Sequence, residues 1–124
     1  YDWDSYVKYG RQRFLTAPLM KWMFGKYVSD PAQRGNDLMS PVRASAERLR
    51  GLPATLIVVA ENDILRDEGE AMGRRLDEAG VEVTTVRFNG VVHDWGMLNG
   101  FAALHPTRTL IRLVGSVLRD YLEK

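Results

Sequence analysis

The sequence predicts an α/β fold with parallel strands, and three consecutive segments carry this prediction. Residues 56–60 are an unbroken apolar run, which is typical of a strand buried on both faces. Residues 66–79 place apolar side chains on one face at helical spacing, and Gly80 supplies the stop. Residues 81–88 are rich in β-branched side chains and predict a second strand. Because short connections join these segments, we expect parallel strands with a right-handed crossover.

The segment before the first strand predicts one helix and a long loop. Residues 1–15 are aromatic and polar without a clear period. Thr16 is the expected N-cap of a helix with apolar residues at helical spacing, which ends at Asp30-Pro31. Residues 31–53 are expected to form a loop with a short turn of helix that opens at Ser40-Pro41.

The segment after the second strand predicts a turn, a loop and a helix. Asn89-Gly90 is expected to form a turn that ends the strand, and His93 lies in the loop that follows. From Pro106 onward, a strong apolar stripe predicts an amphipathic helix. Two parallel strands do not make a stable sheet alone, because parallel sheets need several strands and covered faces. The sequence therefore predicts an incomplete sheet whose other strands lie outside these 124 residues.

Composition narrows the classes of function. The 124 residues are 45% hydrophobic and 27% charged, which suits one globular domain. The formal net charge of +1 and the lack of a Lys/Arg-rich run argue against a nucleic-acid partner. No apolar run reaches the roughly 20 residues needed to cross a bilayer, so no membrane partner is expected. The absence of cysteine excludes disulfides and thiolate zinc sites and fits a cytoplasmic location.

Two chemically reactive side chains follow the two predicted strands. Asp63 lies three residues after the first strand, and His93 lies five residues after the second. Neighbouring parallel strands lie about 4.8 Å apart and end at one edge of the sheet, so we expect a hydrogen bond between these side chains. A carboxylate bonded to imidazole Nδ1–H fixes the tautomer and stabilises the imidazolium formed when the other nitrogen takes a proton. The pair is the acid–base half of a nucleophile–base–acid triad.

Four motifs resemble the hormone-sensitive-lipase family of esterases, which has the α/β-hydrolase fold. The family pattern is Ser-Pro, then Leu-Pro before an aliphatic strand, then Asp-x-Leu-Arg-Asp-Glu-Gly, then a histidine further downstream. In this sequence the four motifs are Ser40-Pro41, Leu52-Pro53, Asp63-Ile64-Leu65-Arg66-Asp67-Glu68-Gly69 and His93. The order of acid before histidine also matches this fold.

The resemblance implies the C-terminal part of such an enzyme. Residues 1–39 would be a cap- or lid-like helical segment, and residues 40–124 the C-terminal part of the core. The implied activity is that of a carboxylic-ester hydrolase with Asp63 as the triad acid, His93 as the general base, no cofactor and no metal. The implied substrate-binding residues are Trp22, Phe24 and Trp95. The competing interpretation for these three is packing, either of the cap onto the core or within the loop.

The nucleophile of the triad is absent from the sequence. The Gly-x-Ser-x-Gly elbow and the His-Gly-Gly-Gly type loop of this fold do not occur, and Ser116, after Gly115, lies inside the last predicted helix. We therefore expect the chain alone to be inactive, and to act on a small acyl-ester substrate only with its missing N-terminal part. Purified alone, it should form a homo-oligomer, aggregate or bind that part. The alternative is a non-catalytic ligand-binding or association fragment of the same fold.

Overall fold

The computed structural model describes residues 2–11 and 13–123. Within them, the strands β1 (Thr55–Asn62) and β2 (Val83–Val92) form a two-stranded parallel sheet. The α-helices are α1 (Asp4–Tyr9), α2 (Ala17–Tyr27), α3 (Ala46–Leu49), α4 (Arg66–Glu78) and α5 (His105–Leu122). Short 3-10 helices span Pro31–Gly35, Pro41–Arg43 and Asn99–Phe101. No helix in this described part is long and apolar enough to cross a membrane.

The strand–helix–strand unit that the sequence predicts is confirmed as β1, α4 and β2, with parallel pairing. α4 lies close to β1 because it carries glycine where the two meet: a Cβ at Gly69 would lie 2.7 Å from Val59 Cγ1. The predicted stop at Gly80 is also confirmed. Its φ is 79°, and its N–H donates to Asp77 O at 2.9 Å, which satisfies a carbonyl of the last turn.

The prediction of a turn at Asn89-Gly90 is wrong, because β2 continues through these residues to Val92. Gly90 has a φ of 76°, the left-handed conformation that Asn-Gly turns also use, but here it lies at an irregularity of the strand pairing. His93 therefore follows the strand directly instead of lying five residues beyond it.

α1 lies in a segment where the sequence predicts no element. Its six residues are too few to form a stable helix by themselves, so the surroundings must stabilise it. Tyr6 and Tyr9 are buried in an apolar cluster with Leu15 and Ile64. α1 therefore depends on tertiary packing that its own sequence pattern does not reveal.

α2 and α5 have the predicted positions but bury little. Thr16 is the N-cap of α2, as predicted, and its Oγ1 accepts a hydrogen bond from the Leu19 N–H at 3.4 Å. α2 ends at Tyr27, before the predicted end at Asp30-Pro31. No residue of α2 is buried, and Thr107 is the one buried residue of α5. Both helices thus keep apolar side chains exposed.

Candidate active site

Asp63 comes directly after the last residue of β1 and is 8% exposed. Its two carboxylate oxygens have different partners. Oδ1 accepts a hydrogen bond from the Leu65 N–H at 2.9 Å, an Asx turn that leads the chain into α4. Oδ2 faces the end of β2. The local turn therefore holds one carboxylate oxygen and leaves the other to face the end of β2.

His93 comes directly after β2, and its ring meets that carboxylate. Nδ1 lies 2.8 Å from Asp63 Oδ2, which confirms the predicted contact. With Nδ1–H donating to the carboxylate, Nε2 is the nitrogen that accepts a proton. The His93 side chain is 24% exposed, and Nε2 lies 3.4 Å from Asp94 Oδ1. The arrangement is thus an oriented imidazole with one nitrogen available for proton transfer.

The pKa of His93 lies above its usual value. The hydrogen bond to Asp63 is the largest cause, burial acts in the opposite direction, and the negative charges of Asp63 and Asp94 add to the rise. The site therefore favours the imidazolium. This is the form that a general base adopts after it takes a proton from a nucleophile.

The residues after His93 hold the end of β2 in place. Asp94 has a φ of 58°, so the backbone turns sharply directly after the histidine. Trp95 is 6% exposed, its ring lies 5.4 Å from that of Phe88, and its carbonyl accepts a hydrogen bond from Thr107 Oγ1. The loop is thereby tied both to β2 and to the start of α5.

A second hydrogen-bonded group supports the acid loop from the side of α1. Ser5 Oγ donates to the Ile64 carbonyl at 2.6 Å, and the Ser5 N–H donates to Asp67 Oδ2 at 2.7 Å. Arg66 Nε donates to the other Asp67 oxygen at 2.7 Å, and Arg66 Nη1 donates to the Tyr9 hydroxyl at 3.1 Å. Sequence reasoning missed Ser5 and Tyr9, since nothing in residues 1–15 indicates that they reach a loop some sixty positions away.

The predicted substrate-binding residues lie in different places. Phe24 lines a cavity of about 830 Å³ between α2 and α4, and neither Asp63 nor His93 lines that cavity. Trp22 is 62% exposed on α2. Trp95 is buried with Ala60 and Val91. Phe24 thus lines a cavity to which the acid–histidine pair does not contribute, Trp95 lies in the His93 loop but is buried, and the contact of all three aromatic residues with substrate stays a prediction.

The fold is that of an α/β protein with a hydrogen-bonded carboxylate–imidazole pair at the carboxyl edge of its sheet. A family model of the alpha/beta hydrolase fold matches residues 2–97. The chain therefore belongs to the α/β-hydrolase-fold family. The match includes β1, α4, β2 and both members of the pair.

Solved esterase structures superimpose closely on this chain. An esterase of Pseudomonas putida is 44% identical with a TM-score of 0.90, over 92% of this chain and 36% of the esterase. Carboxyl esterase 2 of Tuber melanosporum is 31% identical with a TM-score of 0.92, over 97% of this chain and 40% of that one. An arylesterase of Saccharolobus solfataricus is 37% identical over 94 residues, 76% of this chain and 28% of the arylesterase. The chain spans about a third of the length of the curated relatives it matches.

Proposed function

We propose that this chain is the C-terminal part of a serine carboxylic-ester hydrolase of the hormone-sensitive-lipase type. Asp63 would be the triad acid and His93 the general base. The observation that carries the proposal is the 2.8 Å contact between Asp63 Oδ2 and His93 Nδ1 directly after two neighbouring parallel strands. The similarity to proteins named esterase and arylesterase supports the same reaction class.

In the proposed reaction the nucleophilic serine comes from the N-terminal part of the enzyme. His93 Nε2 takes the serine proton as the oxygen attacks the ester carbonyl, while Asp63 holds the ring and stabilises the imidazolium. His93 then gives the proton to the departing alkoxide, so an alcohol leaves and an acyl-serine ester remains. A water molecule, deprotonated by His93, attacks that ester. The carboxylic acid leaves and the proton returns to serine.

The proposal also assigns the two parts of the chain. Residues 1–39 would cover the site as a cap, and residues 40–124 would complete the core. Exposed apolar residues on both α2 and α5 support this, because such surfaces are normally covered: Leu19, Trp22, Met23, Ile111, Leu118 and Leu122. We expect a cytoplasmic protein acting on small acyl esters, with self-association when the chain is isolated from its N-terminal part.

A chimera tests the proposal directly. The region of the Pseudomonas putida esterase that superimposes on this chain is replaced by this chain, and hydrolysis of a short p-nitrophenyl ester is measured. The chimera is expected to be active, and His93→Ala should lower kcat by at least about 10³-fold because the general base is lost. His105→Ala is the matched control, since His105 is the other histidine and lies exposed at the start of α5.

Asp63→Asn in the same chimera examines the acid. Asparagine keeps an oxygen for the Leu65 N–H but presents an amide N–H to His93 Nδ1, which favours the wrong tautomer. We expect kcat to fall by about 10⁴-fold with little change in KM.

A folded chimera that hydrolyses the ester equally well with and without His93 would remove this residue from the mechanism and refute the proposal.

A further inference from the structure

The two strands change register just before the acid–histidine pair. From Thr55 opposite Val83 up to Ala60 opposite Phe88, each β1 residue lies beside the residue 28 positions later in the chain. At the next pair, Asn62 lies beside Val92, which is 30 positions later. β2 therefore uses two more residues than β1 between these two pairs.

The register change brings the two members of the pair level with each other. If the earlier register continued, Asp63 would lie beside Val91, and His93 would be two residues further along β2. Two residues of strand extend about 6.6 Å, so the two Cα atoms would be offset by that length along the strands and the side chains would meet only by leaning toward each other. The extra length taken up around Asn89 and Gly90 returns His93 to a position beside Asp63, where the 2.8 Å contact forms.

One side chain holds the irregular segment. Glu61 lies between Ala60 and Asn62, at the point where the register changes. Its Oε2 accepts a hydrogen bond from the Gly90 N–H at 2.7 Å. Gly90 has the left-handed φ of 76°, so its N–H does not follow the regular pairing pattern of the strand. A carboxylate from the neighbouring strand satisfies it instead.

We propose that Glu61 is a positioning residue that holds the bulge of β2 and so keeps His93 beside Asp63. The effect on catalysis rests on the proposed function, whereas the effect on the His93 environment does not. Glu61 acts through the backbone of Gly90. Gly90, His93 and Asp63 all lie at the carboxyl edge of the sheet. Neither the sequence motif nor the fold class assigns Glu61 such a role.

A pair of substitutions separates the hydrogen bond from the charge. Glu61→Ala removes the acceptor, and Glu61→Gln removes the charge but keeps an oxygen for the Gly90 N–H. NMR titration of the esterase chimera measures the His93 pKa, with His105 as internal reference. We expect Glu61→Ala to lower the His93 pKa by at least about half a unit toward its usual value as the contact with Asp63 loosens. Glu61→Gln should stay near the unsubstituted chain. Glu82→Ala, which removes a hydrogen-bonded carboxylate just before β2, should leave His93 unchanged.

A glycine pair gives a second test that does not touch Glu61. Gly90 and Gly51 have φ values of 76° and 81°, and a Cβ on either would meet nothing within 4 Å. Alanine therefore strains the backbone similarly at both positions. Gly90→Ala should lower the His93 pKa, whereas Gly51→Ala should cost similar stability without moving it. If the two variants shift His93 equally, the bulge has no specific role.

The esterase chimera reports the catalytic consequence. Glu61→Ala should lower kcat by about 10- to 100-fold with KM little changed, because displacement of the base by an ångström or more is costly, and Glu61→Gln should restore most of the rate. An unshifted His93 pKa in Glu61→Ala, or a Glu61→Gln variant that behaves like Glu61→Ala, would overturn the positioning role. An inactive unsubstituted chimera would instead count against the proposed function and leave the NMR result to decide the role of Glu61.

Discussion

The acid loop and the last helix of this chain differ in how they are held. The segment from Asp63 to Asp67, which leads into α4, accepts hydrogen bonds from Ser5 of α1 and contacts His93 directly after β2, and Ile64 within it is 0% exposed. α5 carries a long apolar stripe, yet Ile111 is 60% exposed and Leu122 is 82% exposed. The comparison teaches that the local sequence pattern is enough to predict a helix such as α5. The geometry of the acid–histidine pair, by contrast, depends on contacts between segments far apart in sequence.

The largest expected contrast is between two isoleucines. Ile64→Ala removes a fully buried side chain from the cluster with Tyr6 and Tyr9, so we expect the free energy of unfolding to fall by about 2–5 kcal/mol. Ile111→Ala on α5 should change it by less than about 0.5 kcal/mol, because the side chain is mostly exposed. Urea denaturation of the three chains measures both values. The comparison is made at concentrations where the chain is monomeric, because the expected self-association would cover α5; equal losses in the monomer would contradict the exposure of Ile111.

An intermediate effect is expected at Asp67, whose carboxylate has donors on both oxygens. Burial on its own raises the Asp67 pKa, but the hydrogen bonds from Arg66 and the Ser5 N–H outweigh it, and the pKa lies below its usual value. The pKa of Asp67 is lower in the folded protein than in the unfolded chain. The ionised carboxylate therefore stabilises the fold above about pH 3.8, and this stabilisation is lost as the pH falls through the pKa of the folded protein. Asp67→Asn should therefore cost about 1–3 kcal/mol at neutral pH and much less in acid.

The matched control for Asp67 is Asp77→Asn, at an exposed position of the same helix. Its unfolding free energy should remain within about 0.5 kcal/mol of the unsubstituted chain at every pH. Urea denaturation at several pH values provides the measurement. If Asp67→Asn lowers the free energy of unfolding as much at pH 3 as at pH 7, stabilisation by an ionised, hydrogen-bonded Asp67 carboxylate is contradicted.

The same contrast explains what the sequence could predict. β1, α4 and α5 follow from periodicity and from local stops such as Gly80, so their positions were accessible to sequence reasoning. α1 was not, because its tyrosines and Ser5 are held by Ile64, Arg66 and Asp67 far along the chain.

The acid–histidine contact was predictable from topology, but the way in which it forms was not. Asn89-Gly90 has the same local preference for a left-handed φ whether it ends a strand or forms a bulge within one. In the bulge the Gly90 N–H donates to Glu61 of the neighbouring strand, a partner that no local pattern identifies. α2 ends before its predicted position for a related reason. Proline marks where a helix cannot continue, whereas Val28 already has an extended backbone three residues earlier.

The smallest expected effects come from alanine substitutions at one glycine in α5 and one in α4. Gly115 lies in α5, where a Cβ would meet nothing within 4 Å, so Gly115→Ala should stabilise the chain by about 0.5–1 kcal/mol through helix propensity alone. Gly69 lies in α4 against Val59, where a Cβ would approach to 2.7 Å, so overpacking should outweigh the same gain. We expect Gly69→Ala to lower the free energy of unfolding by about 1 kcal/mol. Thermal or urea unfolding measures both changes in the free energy of unfolding. Changes of opposite sign would support the contrast between the covered helix α4 and the uncovered helix α5. A stabilising Gly69→Ala would show that α4 packs less closely on β1 than the structure indicates.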